Sequence, residues 1–147
     1  MVTIDSDEFL GRVEHESVVA AIAFAEKKTS GEIRVYISHR QIRDPLDAAL
    51  RRFEALEMYR TRHRNAVLIY VAPRTQCFAI VGDAGVHEKC GDEFWQKTVE
   101  LLGRDLRLET PTKSLVNVVR YVGSMLAQHF PHQVDDKNEL PDRIALA

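Results

Sequence analysis

Asn65-Ala66-Val67-Leu68-Ile69-Tyr70-Val71-Ala72, then Pro73-Arg74-Thr75-Gln76, then Cys77-Phe78-Ala79-Ile80-Val81-Gly82-Asp83 is the stretch that decides the fold. The two flanking runs are rich in β-branched and aromatic residues, which marks them as strands. The link between them suits a hairpin and is too short for a parallel crossover, which needs a dozen residues or more. The strands therefore pair antiparallel, and Asp83 returns to the end where the first of them leaves Asn65. Val67, Ile69 and Val71 alternate with Leu68 and Tyr70, so both faces of the strand are apolar. A strand buried on both faces calls for a layer above the sheet and another below it.

Working outward towards the N-terminus, Ile33-Arg34-Val35-Tyr36-Ile37 reads as another strand. Between it and the hairpin, Asp44-Pro45 is a helix start: a capping carboxylate followed by proline at the first helical position. Leu46, Ala49, Leu50, Phe53 and Leu56 form an apolar face behind it. A strand-helix-strand unit of this kind is parallel by the right-handed crossover rule. The expected fold is thus α/β: a three-layer α/β/α sandwich with a mixed sheet in which a parallel β-α-β unit precedes an antiparallel hairpin. Glu32 should lie beside Asn65, and Asp83 should return to the same rim.

The remaining helices follow from spacing. Val18, Ala21, Ile22 and Ala25 predict a helix from about Glu16 or Ser17, with Lys27-Lys28 in its last turn and Gly31 as its stop. Asp5 and Glu8 offer a weak capping box ahead of Phe9-Leu10. A further helix is expected from Glu88 to Asp92 onward, carrying Phe94, Trp95, Val99, Leu102 and Leu106. The last should run from near Thr112 to Phe130-Pro131, burying Leu115, Val118, Val119, Val122, Met125 and Leu126. Residues 1–147 read as one domain, with residues 133–147 as an irregular surface tail.

Composition narrows the function classes. The 147 residues carry a formal charge of −2, which implies no general attraction to nucleic acid. The local run Arg60-Thr61-Arg62-His63-Arg64 reads as the solvated end of a helix. Cys77 and Cys90 have neither zinc spacing nor the density of a disulfide scaffold. The first twelve residues hold no apolar signal-peptide core, and Val18 to Ala25 is too short an apolar run to span a bilayer. A cytoplasmic setting without membrane insertion is expected.

Candidate chemistry concentrates on the rim. Glu32, Asn65 and Asp83, with Asp92 as a further contributor, are oxygen donors of the type hard divalent cations prefer, so the expected cofactor is calcium or magnesium. Any catalytic role would fall to Asp83, orienting a metal-activated water. Gly82-Asp83-Ala84-Gly85 matches neither a dinucleotide fingerprint nor a P-loop. Asp135-Asp136-Lys137-Asn138-Glu139 lacks the glycine and the spacing of a calcium loop. His129 and His132 flank a helix end, and the pattern G-x-S-x-G is absent. His87 is the histidine placed nearest the rim. His39, Arg40 and Arg74 mark the opposite rim, where a basic site could receive an anion.

Taken in order, three segments resemble the TPM domain family. They are Thr29-Ser30-Gly31-Glu32-Ile33-Arg34-Val35, Asn65-Ala66-Val67-Leu68-Ile69-Tyr70-Val71-Ala72, and Phe78-Ala79-Ile80-Val81-Gly82-Asp83-Ala84-Gly85. Gly91-Asp92-Glu93-Phe94-Trp95, Ala127-Gln128-His129-Phe130-Pro131 and Asn138-Glu139-Leu140-Pro141-Asp142 are similar to its soluble, single-domain bacterial branch. The likeness implies a compact α/β/α sandwich, Rossmann-like in appearance but without a dinucleotide fingerprint. Exported relatives include acid phosphatases and calcium binders, and others are accessory proteins of membrane complexes. Asn65, Gly85 and Asp92 carry over from the family pattern, while Glu32 and Asp83 belong to the soluble branch. The exported members' Gly-Tyr-Gly-Leu-Glu motif is replaced here by Gly82-Asp83-Ala84-Gly85-Val86-His87, a departure that counts against a phosphatase. The reading that results is a metal-binding or accessory module with an unidentified protein partner. A metal-assisted acid phosphatase of low, promiscuous activity is the alternative.

Overall fold

The computed structural model describes the backbone of residues 14–108, 111–132 and 144–146. The elements are α1 (His15–Glu26), β1 (Glu32–Ile37), α2 (Pro45–Ala55), β2 (Ala66–Ala72), β3 (Cys77–Gly82), α3 (Ala84–Leu108), α4 (Pro111–His129) and β4 (Ala145–Leu146). A single 3-10 turn at Pro73–Thr75 joins β2 to β3, with Gln76 in the left-handed region at φ 52°. The sheet order is β3-β2-β1-β4. β1 and β2 are parallel, and β2 and β3 are antiparallel, as the hairpin link dictates.

Alternation along the strands sorts the core into two layers. Ile33, Val35, Ile37, Val67, Ile69, Val71 and Ile80 pack against α1, α4 and Val86 of α3. Tyr36, Leu68, Tyr70, Ala79 and Val81 pack against Ala49 and Phe53 of α2 and the following Met58. Helices therefore cover both faces, and the chain is a three-layer α/β/α sandwich.

Local chemistry explains the helix ends. Asp44 caps α2 by accepting the Asp47 amide at 3.1 Å, with Pro45 in the first turn. Only part of the expected α2 face is covered: Ala49 is fully buried, whereas Leu46 and Leu50 stay 55% and 50% exposed. α1 stops at Glu26, before Lys27, Lys28 and Gly31. α3 starts directly after Asp83, earlier than the expected Glu88 to Asp92, and breaks at Gly91, where φ 74° and ψ 179° suit only glycine. The side chains of Phe94, Leu102 and Leu106 lie outside the described residues, as do Asp5 to Leu10 and the acidic run from Asp135 to Glu139. The end of the expected surface tail is instead ordered: Ile144 is buried, and Ala145 and Leu146 pair in parallel with Tyr36 and Ile37 of β1. Such a short apolar segment carries too little periodicity to announce a strand, and it is recruited by the open edge of β1.

Candidate functional site

The amino ends of β1 and β2 and the carboxyl end of β3 meet, as the topology requires. Glu32 is the register partner of Ala66, and its N–H donates to the Asn65 carbonyl at 3.3 Å. Asp83 follows the Val67–Gly82 pair, and its N–H donates to the Ala66 carbonyl at 2.9 Å. The three backbones thus form one rim. Glu32, Asn65 and Asp83 are all buried there.

Their side chains do not all share a face. Alternation from Tyr36 puts Glu32 on the α2 side, and alternation from Val81 puts Asp83 there too. Ala66 lies between them, so their backbones stand about two strand spacings, or about 10 Å, apart. The methyl of Ala66 leaves the floor between the two acids low. Asn65, one residue before Ala66, falls on the other face. Its Nδ2 donates to Ser30 Oγ at 3.1 Å, and its Oδ1 is buried with no hydrogen-bond partner among the described residues. Asp92 is exposed beyond the Gly91 break, about 12 Å of helix from Ala84. Among the described residues no group of three or more His, Cys, Asp or Glu is placed to hold a metal ion. The expected set therefore separates into Glu32 with Asp83, Asn65 behind them, and Asp92 apart.

Arg64 is the rim residue that sequence reasoning misplaced. It is not the solvated end of a helix, since α2 ends at Ala55. The guanidinium grips Asp83 in a two-pronged pair, Nε to Oδ2 at 2.7 Å and Nη2 to Oδ1 at 2.8 Å. Such planar pairing is the strong form of a charge-assisted bond. The Asp83 hydrogen bond, then its charge, hold the Arg64 pKa above the ordinary value. Asp83 Oδ1 also accepts the Ala84 amide at 2.8 Å, so the carboxylate sits on the N-terminus of α3, where the helix dipole favours an anion. A signal for this pair was present in the opposite charges at the two open ends of the hairpin.

The Thr29-Ser30-Gly31-Glu32 segment ties the rim to the end of α4. Thr29 Oγ1 donates to the Phe130 carbonyl and accepts the Gly31 amide, and Thr29 bridges to Pro131. Ser30 N–H also donates to the Phe130 carbonyl, at 3.0 Å. Two motifs a hundred residues apart are thus the two sides of one junction. The model of the TPM domain matches residues 3–122, most of the chain. The chain belongs to the TPM domain family. The NMR structure of the BA42 protein from the psychrophilic bacterium Bizionia argentinensis is similar, with a TM-score of 0.85 and 37% identity. The match covers 91% of this chain and 92% of that one. No curated protein matches the chain.

The carboxyl rim of this TPM domain is basic, as expected, and its parts touch: Arg74 Nη1 donates to the His39 carbonyl at 3.4 Å. Beneath it Tyr36 stacks on Tyr70 at 5.3 Å, and the Arg52 guanidinium lies 4.5 Å above the Tyr36 ring. The Tyr36 hydroxyl is buried with no hydrogen-bond partner among the described residues. Burial pushes its pKa above the ordinary tyrosine value, against the opposing pull of Arg52. A raised folded-state pKa means that stability is intact below about pH 10, where the unfolded tyrosine titrates, and is lost as pH rises past it. Tyr36→Phe should therefore flatten the alkaline decline in urea melts taken between about pH 9 and 11. At neutral pH it should leave stability equal or higher, because an unsatisfied hydroxyl is removed. A loss above about 1 kcal/mol at neutral pH would mean that the hydroxyl makes a bond the fold needs.

Among the helices described, none is long and apolar enough to cross a membrane.

Proposed function

We propose that this TPM domain is a binding or accessory module that takes a divalent cation, calcium or magnesium, between Glu32 and Asp83. The observation that carries the reading is the burial of these two carboxylates on one face of the rim, with only Ala66 between them. The rim already holds one cation, the Arg64 guanidinium, whose side chain is 53% exposed and can leave without disturbing the core. Carboxylate oxygens favour a hard ion, and incoming metal would take over the neutralisation of Asp83 from Arg64. Asn65 then acts as a positioning residue, joining β1 to β2 through its carbonyl and to Ser30 through its amide. Cys77 and Cys90 are both free thiols, which fits a reducing compartment, so a cytoplasmic setting is part of the proposal.

The test is thermal melting during calcium and magnesium titration. Ligand at one hundred times its dissociation constant stabilises a fold by about 2.7 kcal/mol, which for a domain of this size raises Tm by roughly 5–10 °C. Asp83→Asn should shrink the shift. Arg64→Gln should enlarge it at subsaturating metal, because the competing cation is gone. A wild-type Tm unmoved by millimolar calcium, magnesium and manganese defeats the proposal. Hydrolysis of a simple aryl phosphate separates binding from catalysis. Turnover that is abolished by chelator and by Asp83→Asn would replace the binding role with that of a metal-assisted phosphatase.

A further inference from the structure

We propose that the groove between α1 and α4 docks an acidic amphipathic helix of a partner protein. The groove encloses about 680 Å³, within the range of real binding clefts. α1 and α4 run parallel: the Glu14 amide donates to Thr112 Oγ1 at one end, and Gly123 meets Ala25 towards the other. A Cβ at Gly123 would sit 2.6 Å from that of Ala25, so glycine is what lets the helices close here. Ala21, Ser124 and Ala127 make a low floor over which a third helix can lie close.

Phe24 gives the groove its apolar wall. It is 59% exposed, whereas Val18 and Ile22 of the same helix are fully buried in the core. A large aromatic left out of the core beside a cleft has the character of an anchor for a partner. The Lys28 ammonium lies 4.6 Å from the Phe24 ring centroid, at the edge of that apolar surface.

Charge selects the occupant. Among the described residues, the charged ones that line the groove are Lys28 and Arg120, both cationic and both exposed. With Gly123 level with Ala25, Arg120 stands level with Ile22, and Lys28 lies in the turn after α1, beyond the roughly 6 Å of helix axis from Ile22 to Glu26. Acidic residues seven positions apart on a helix are spaced by about 10.5 Å and can meet both cations while apolar residues between them cover Phe24. A basic helix would meet like charge. A two-fold pair of this same face would set the cations of one copy against those of the other.

The probe is a labelled synthetic helix of about 18 residues, roughly 27 Å long. It carries leucines at i, i+3, i+4 and i+7 and glutamates along the flanks. A second peptide has lysine for every glutamate. Anisotropy titration of the full chain should show binding of the acidic peptide and at least about tenfold weaker binding of the basic one. Phe24→Ala and Arg120→Glu should each weaken the acidic peptide about tenfold with the melting curve unchanged, since both side chains are exposed. The double variant Lys28→Glu, Arg120→Glu should reverse the preference. Equal binding of both peptides overturns the proposal. So does indifference to Phe24→Ala and Arg120→Glu, or the absence of binding at millimolar peptide. Capture of the chain by phosphatidylglycerol vesicles with no peptide binding would make the groove a lipid-facing surface instead.

Discussion

Gly85→Ala should destabilise the fold by about 3 kcal/mol, lowering Tm by on the order of 10 °C. A Cβ at this position would lie 2.4 Å from the His63 carbonyl oxygen and 2.7 Å from that of Arg64. Real Cβ contacts do not come so close, and the atoms in the way are backbone, which cannot swing aside as a side chain can. Retreat is costly on both sides. The Gly85 amide donates to the Arg64 carbonyl at 2.9 Å, and Arg64 is already held at φ 50°. Pushing α3 away from this loop would also loosen the Arg64 grip on Asp83. Urea melts of the variant measure the loss. If stability changes by less than about 1 kcal/mol, α3 is free to shift, and the close packing of its first turn on the 63–64 loop does not hold the rim.

Leu126→Ala should cost a similar amount, about 3 kcal/mol, through a different mechanism. Leu126 is fully buried in the layer formed by α1, α4 and β1, and its methyls are the atoms a Cβ at Gly31 would meet, at 3.0 and 3.2 Å. Removing them deletes apolar burial and leaves a void under the Thr29-Ser30-Gly31 segment. The global loss should be accompanied by a local one. Amide exchange at Ser30 and Gly31 should accelerate more than exchange in α2, which packs on the other layer. A loss below about 1 kcal/mol with unchanged exchange at these amides would show that the segment collapses onto the void and that Leu126 does not support it.

The sequence by itself determined the architecture. The hairpin followed from a link too short to cross over. The parallel unit followed from the Asp44-Pro45 helix start between two apolar runs, and the three layers followed from strands apolar on both faces. These are local signals, because strand period, turn length and capping chemistry act over a few residues. The same signals brought Glu32, Asn65 and Asp83 to one rim, where the backbone contacts place them.

Only the tertiary structure decided what those residues face. A one-residue offset turns a side chain to the opposite side of a sheet, so the register that pairs Glu32 with Ala66, and not Asn65, sends Asn65 towards Ser30. The pairing of Arg64 with Asp83 spans nineteen residues and depends on that register as well. Periodicity marked Leu46 and Leu50 as apolar helix positions but could not say that each is half exposed or more, because burial depends on which other elements arrive to cover them. The recruitment of Ala145 and Leu146 to the edge of β1 is of the same kind. Two residues have no periodicity to read, and their strand exists because the sheet offers unpaired backbone groups to receive it.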